Sequence, residues 1–288
     1  MNTMPATSDQ TAFETVITPD KSHRDGRFRL LWRYRDLTML LVKRNCVATY
    51  LQSILGPFWL VLNALLTSVV FSLVFGRFIG ISSDGSPHML FYLAGNTIWS
   101  LFSKCVMQNA DTFVKNRNIY SKVYFPRFTM VMATSLTNVV TFFIQFGVLL
   151  CFFLYYLFTG AVAGFTWMWL VIPALMLQSM LLGTAVGMLI ASVAVKYRDF
   201  LYMVNFTIQL WMYATPIVYP LSKATGKLRL LMLANPMTPI VQNFRYAVYG
   251  MGEFLGGAWL VSIGITLLIF WLALRAFERR EKDMIDVL

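Results

Sequence analysis

LGPFWLVLNALLTSVVFSLVFGRFI, residues 55–79, is the stretch whose reading decides the fold. A helix of about 20 apolar residues covers a hydrocarbon core roughly 30 Å thick. Lipid offers the backbone no hydrogen-bond partners, so such a run must satisfy its N–H and C=O groups internally, as a helix does. Gly56-Pro57 opens it, with the proline at a position where a missing N–H costs little. Comparable stretches recur at 88–110, 128–158, 166–195, 200–219 and 255–274. The pattern predicts an all-α integral membrane protein with six transmembrane helices. Composition agrees, with 58% hydrophobic and only 13% charged residues in 288 and a mean hydropathy of +0.62. A soluble domain carries about twice that charged fraction, and the ten-residue alternation of a membrane β-barrel is absent.

Outward from the first span, residues 28–50 mix Leu30, Leu31, Leu37, Leu40, Leu41 and Val47 with Arg29, Arg33, Arg35, Lys43 and Arg44. That is an amphipathic interface helix whose basic side chains reach the headgroups. Residues 1–27 are polar, contain Pro5 and Pro19, lack the apolar core of a signal peptide and read as a disordered cytoplasmic tail. A Gly/Ser/Asp/Pro turn occupies 80–87, a short turn 159–165, and the basic turn KYRD 196–199. Two stretches, 111–127 and 220–254, are patterned but too polar or too broken to cross. Residues 278–288, ERREKDMIDVL, read as a cytoplasmic C-terminal tail.

The net charge of +11 would suggest nucleic acid for a soluble chain. Here it follows topology. One face collects 18 cations, in residues 21–44, 115–127, 196–198 and 275–282, and the other collects five, Arg77, Lys223, Lys227, Arg229 and Arg245. The positive-inside rule then puts both termini in the cytoplasm. Cys46, Cys105 and Cys151 lie in or beside helices without a CxxC spacing and read as free thiols. No internal repeat of the kind built into many secondary transporters is visible.

No P-loop of the G-x-x-x-x-G-K-S/T form is present, so ATP is not bound by that route. With only His23 and His88, a histidine metal site is not expected. The spans hold almost no carboxylates, which argues against a proton-coupled carrier. Three spans carry polar and aromatic residues at helical spacing: Trp59, Asn63, Thr67, Phe71 and Phe78; Tyr92, Asn96, Trp99 and Ser103; Tyr202, Asn205, Gln209 and Tyr213. Steps of three, four and seven keep each set near one face. Amides need partners in lipid, and alternating amides and rings suit the hydroxyls and C–H faces of a sugar. Helix packing with interfacial aromatics is the plainer reading of any one stripe. Lys104 reads as a snorkelling residue or as a contact to an anionic substrate. Gly183 and Gly187 form a GxxxG pair suited to close packing within the chain.

Several segments, in order, resemble the permease subunits of ABC-2 type polysaccharide exporters, the O-antigen (Wzm-type), capsule and teichoic-acid permeases. They are the basic helix before the first span, residues 55–79, KVYFPR at 122–127, KYRD at 196–199, YATPIVYP at 213–220 and NPMTPIVQNFRYAVYG at 235–250. The N-terminal tail is longer than is usual in that family. The resemblance implies a homodimer of permeases with two ATP-binding cassette subunits in the cytoplasmic (inner) membrane. No cofactor would be bound by this chain, and ATP and Mg would sit in the partner. It implies that 111–127 holds a cytoplasmic coupling helix, with Lys115, Arg117, Tyr120 and Lys122 at the ATPase, and that 220–250 forms short external re-entrant helices broken at Pro236 and Pro239. The three stripes would line a conduit. Lys43 and Arg44 are candidates for the diphosphate of a lipid-linked glycan or for ordinary headgroups, and Arg245 for a helix end or a headgroup. An ABC-2 exporter of drugs or lipids, and a membrane-embedded transferase acting on lipid-linked sugars, are the rival readings; the second should show clustered Asp, Glu or His, and none is visible.

Overall fold

The computed structural model describes residues 34–50, 56–116, 126–162, 164–194 and 199–287. The expected tail 1–27, the first residues of the interface helix, Arg117, Tyr120 and Lys122, and most of the KYRD turn lie outside these residues. Among the described residues the chain is helical and contains no strand. In order come α1 (Arg35–Tyr50), α2 (Phe58–Phe71) with a π-helical continuation (Ser72–Phe78), α3 (His88–Ala110), the single turn α4 (Thr112–Lys115) and α5 (Arg127–Phe158). A 3₁₀ turn (Trp167–Val171) leads into α6 (Ile172–Ala194). Then follow α7 (Phe200–Ala214), a 3₁₀ turn (Leu221–Lys223), α8 (Gly226–Ala234), α9 (Met237–Tyr249) and α10 (Gly256–Val287).

Four helices among the described residues are long and apolar enough to cross a membrane: Phe58–Phe78, Arg127–Phe158, Trp167–Ala194 and Gly256–Phe277. Two segments expected as spans differ from these. Helix α3 has 23 residues, but it carries Asn96, Lys104, Gln108 and Asn109, and protein rather than lipid covers most of it. Helix α7 has only 15 residues, about 22 Å of rise. The last helix, by contrast, continues to Val287, through the segment read as a C-terminal tail.

Helix α3 lies at the centre, packed by α6, α5, α9, α2 and α7. Its residues Leu90, Leu93, Ala94, Ile98, Phe102, Cys105 and Val106 are buried. Lipid tails are as apolar as leucine, so helices associate in a bilayer through close contact and interhelical hydrogen bonds rather than through hydrophobic burial. Both devices are present. A Cβ on Gly183 would stand 2.7 Å from the Phe102 carbonyl oxygen, and one on Gly187 would stand 2.8 Å from that of Val106. The GxxxG pair is therefore the α3–α6 seam inside one chain. Alongside it, Asn109 Nδ2 donates to Ser135 Oγ at 2.9 Å, and Ser135 Oγ lies 2.7 Å from Thr184 Oγ1. A second bridge ties α6 to α10: Gln178 Nε2 donates to Ser262 Oγ at 2.8 Å and Gln178 Oε1 accepts from Trp259 Nε1 at 2.7 Å.

Helix α1 packs on α5, but not by the face its leucines suggest. Leu41, Val42 and Thr38 are buried with Leu37 beside them, whereas Leu40 and Val47 are exposed. Tyr50 Oη lies 2.5 Å from Thr141 Oγ1, and this bond orients the helix end. Periodicity located the helix; contact with α5 selected the buried arc. Prolines 236 and 239 open α9 rather than interrupt it, Pro236 standing at its cap, where proline's fixed φ suits a first turn.

Gly187→Ala forces α3 and α6 apart and should destabilise the fold by about 1–3 kcal/mol, seen as a lower unfolding temperature of the purified protein in detergent. Gly147→Ala is the control: nothing lies within 4 Å of its added Cβ, so the unfolding temperature should hold or rise.

Candidate functional site

The three polar-aromatic stripes have different fates. On α2, Trp59 is 55% exposed, Asn63 is exposed and Thr67 is half-buried, with Thr67 Oγ1 donating to the Asn63 carbonyl at 2.9 Å. Phe71 turns inward and meets the Tyr92 ring edge-on at 6.0 Å, while Phe78 is exposed. On α7, Tyr202, Asn205, Gln209 and Tyr213 are all exposed. The Asn205 amide returns to the Leu201 carbonyl at 3.0 Å.

The α3 set splits. Tyr92 and Trp99 are buried at 1% and 4% exposure, so they support neighbouring elements rather than present a surface. Trp99 stacks at a tilt on Phe102, which in turn meets Trp211 of α7. Asn96 and Ser103 keep partial exposure, joined on the same side by Ser100 and Lys104, with Gln108 exposed nearer the end of the helix. The accessible face of α3 is therefore mostly polar, with Met107 exposed beside Gln108, and it lacks the two rings expected there. Regular spacing placed all four residues near one face, but it could not show how far α2 and α7 close over its edge.

Of the two places given for Arg245, a helix end or a headgroup, the structure has it at helix ends: it is 1% exposed and donates three hydrogen bonds to backbone carbonyls. Nε reaches Phe91 O at 3.2 Å, Nη1 reaches Pro216 O at 2.6 Å, and Nη2 reaches Ile217 O at 2.7 Å. Its guanidinium carbon lies 3.6 Å from the centroid of the Phe91 ring. Gly95 makes the space, since a Cβ there would stand 2.4 Å from Nη2. A planar fork of donors suits this task, and a lysine's point charge does not. No signal in the sequence pointed to Gly95.

At the other end of α3, Arg44 Nη2 donates to Asn45 Oδ1 at 2.9 Å and to Asn116 Oδ1 at 3.2 Å. This joins α1 to the segment 111–127. Lys115 is exposed and pairs with Asp111 at 2.6 Å, an i,i+4 contact worth a few tenths of a kcal/mol at such exposure. Lys43 is exposed. Among the described residues no three His, Cys, Asp or Glu side chains come together in a metal-binding group.

Apolar membrane-length helices around a buried helix bridged by polar side chains define a multi-pass membrane protein. The chain belongs to the ABC-2 type transporter family, whose sequence profile matches residues 36–249. It is a transporter membrane subunit of the kind that works with an ATP-binding partner. It is 28% identical over 262 residues to the O-antigen export system permease protein RfbA of Myxococcus xanthus, covering 90% of this chain and 97% of that one. An RfbA of the same description from Klebsiella pneumoniae is 22% identical over 210 residues, covering 73% of this chain and 79% of its own.

Arg245→Met keeps the apolar stem of the side chain and strips donors from three carbonyls. Each buried unsatisfied group costs about 1–3 kcal/mol, so the yield of folded protein and its unfolding temperature should both fall sharply. Arg245→Lys should recover only part of the loss.

Proposed function

We propose that this chain is the membrane-spanning subunit of an ATP-driven exporter of a lipid-linked polysaccharide, O antigen in the first place. The observation that carries this is a match along 90% of the chain to a permease of that description. The structure adds open, uncharged faces bearing amides, hydroxyls and rings on α2 and α7, a chemistry suited to sugars. Two copies facing one another through these helices would enclose a path lined by Trp59, Asn63, Thr67, Tyr202, Asn205, Gln209 and Tyr213, with Asn96 and Ser103 of α3 behind them. Tyr92, Trp99 and Phe71 would hold that wall in shape.

The chain crosses the inner membrane six times in this reading, with both termini cytoplasmic. Contacts at the two ends of the bundle favour it. Ser222 donates to Asp84 at 2.6 Å, which brings the exit of α7 to the entrance of α3. Arg44 meets Asn116, which brings α1 to the exit of α3. Helices α3 and α7 then each run from one end to the other despite lower apolarity or length. Helices α8 and α9 are the external re-entrant pair, and 111–127 holds the coupling helix, which docks on the ATPase through Lys115, Arg117, Tyr120 and Lys122. Two ATP-binding subunits complete the exporter, and they hold the ATP and Mg. A packed helical bundle transmits such a push as a rigid-body movement.

Depletion of this protein should cause lipid-linked glycan to accumulate inside the cell while surface glycan falls. Unchanged surface glycan would reject the assignment. Within the exporter, Trp59→Ala and Tyr213→Ala at matched expression should cut surface glycan at least severalfold with assembly intact. Full export in both variants would remove these faces from the path.

A further inference from the structure

Lys104 is a cation within helix α3 that no carboxylate balances among the described residues. Between Leu37 and Gly252 the sequence holds three carboxylates, Asp84, Asp111 and Asp199. Asp111 is engaged by Lys115, Asp84 accepts from Ser222 at the far end of the bundle, and Asp199 stands at the head of α7. Among the described residues no carboxylate or hydrogen-bond acceptor pairs with the Lys104 ammonium. Its immediate neighbour in sequence, Cys105, is buried.

The position is specific. Asn96, Ser100, Ser103 and Lys104 fall within about 100° of arc on α3 and are the residues of its middle that keep partial exposure. Helix α2 reaches α3 through Phe71 on Tyr92, and α7 reaches it through Trp211 on Phe102. Lys104 stands six residues before Ala110, about 9 Å from that end of the helix. That is the end joined to α1 by Arg44 and Asn116. An intramembrane charge is costly unless it is paired, and among the described residues no counter-ion stands beside Lys104. An ammonium binds a phosphoryl group through strong charge-assisted hydrogen bonds, and a lipid head entering from this end would meet Lys104 before the neutral residues beyond it.

We propose that Lys104 is the contact for the phosphate-bearing head of the lipid-linked cargo, with Ser103, Ser100 and Asn96 continuing the path toward its sugars. This rests on the reading of the chain as an exporter of a lipid-linked glycan. It assigns head recognition to α3, whereas Arg44 is already occupied with Asn45 and Asn116.

The test uses the full chain in phosphatidylcholine nanodiscs and radiolabelled farnesyl diphosphate as the probe. Loss of a charge-assisted contact should weaken binding about 10- to 100-fold in Lys104→Gln, with Lys104→Arg close to wild type. Lys104→Met, which keeps the apolar stem, should repeat the loss and stands in if the glutamine variant does not fold. Equal binding by wild type and both neutral variants would overturn the role of Lys104 and leave the export reading intact. No binding by wild type would overturn both. Replacing a fifth of the lipid with phosphatidylglycerol separates the sources. Full displacement of the probe, dependent on Lys104, would make the residue an ordinary headgroup anchor and defeat the proposal, whereas persistence of probe binding supports it.

Discussion

Between Thr215 and Pro220 the backbone leaves helical geometry and is largely buried, so the freed carbonyls need donors from elsewhere. Arg245 supplies them. One guanidinium satisfies Pro216 and Ile217 in that segment and Phe91 at the start of α3. It thereby ties three parts of the chain, far apart in sequence, to one point. The short helices α8 and α9, the exit of α7 and the entrance of α3 take their mutual positions from this contact. Its buried charge is tolerated because the donors of the fork meet carbonyls and the Phe91 face lies against it, an arrangement that Gly95 alone makes possible.

The same segment is held again by Asn235, whose Nδ2 donates to Thr215 Oγ1 at 2.8 Å and whose Oδ1 accepts from Trp211 Nε1 at 3.1 Å. Farther out, Arg229 pairs with Glu253 at 2.6 Å and bridges α8 to the approach of α10. This end of the molecule is closed by directional bonds between loops and short helices. At the opposite end of α3, Asn109 bonds Ser135, which meets Thr184, and Arg44 reaches Asn116.

Much of this was legible in the residue string, and the boundary is physical. Apolar runs reported helices because lipid admits no other open backbone, and the Gly183–Gly187 pair reported a close approach because only hydrogen fits there. The site was legible in part. Stripes on α2 and α7 remain at the surface, where exposure follows helical periodicity. On α3 the same periodicity put Tyr92 and Trp99 beside Asn96 and Ser103, yet the rings are covered by side chains from other helices. A repeat of 3.6 residues describes one cylinder and carries no information about its neighbours.

By itself the sequence determined that the chain is helical, embedded in a membrane, poor in carboxylates and without a nucleotide-binding loop, since these depend on residue type and spacing alone. Tertiary structure decided which face of α1 is buried, that Arg245 is a clasp and not a headgroup contact, and which residues of α3 stay accessible. Each of those outcomes depends on atoms brought together from distant segments. A guanidinium finds its three carbonyls only when α9, the break after α7 and the head of α3 have already converged.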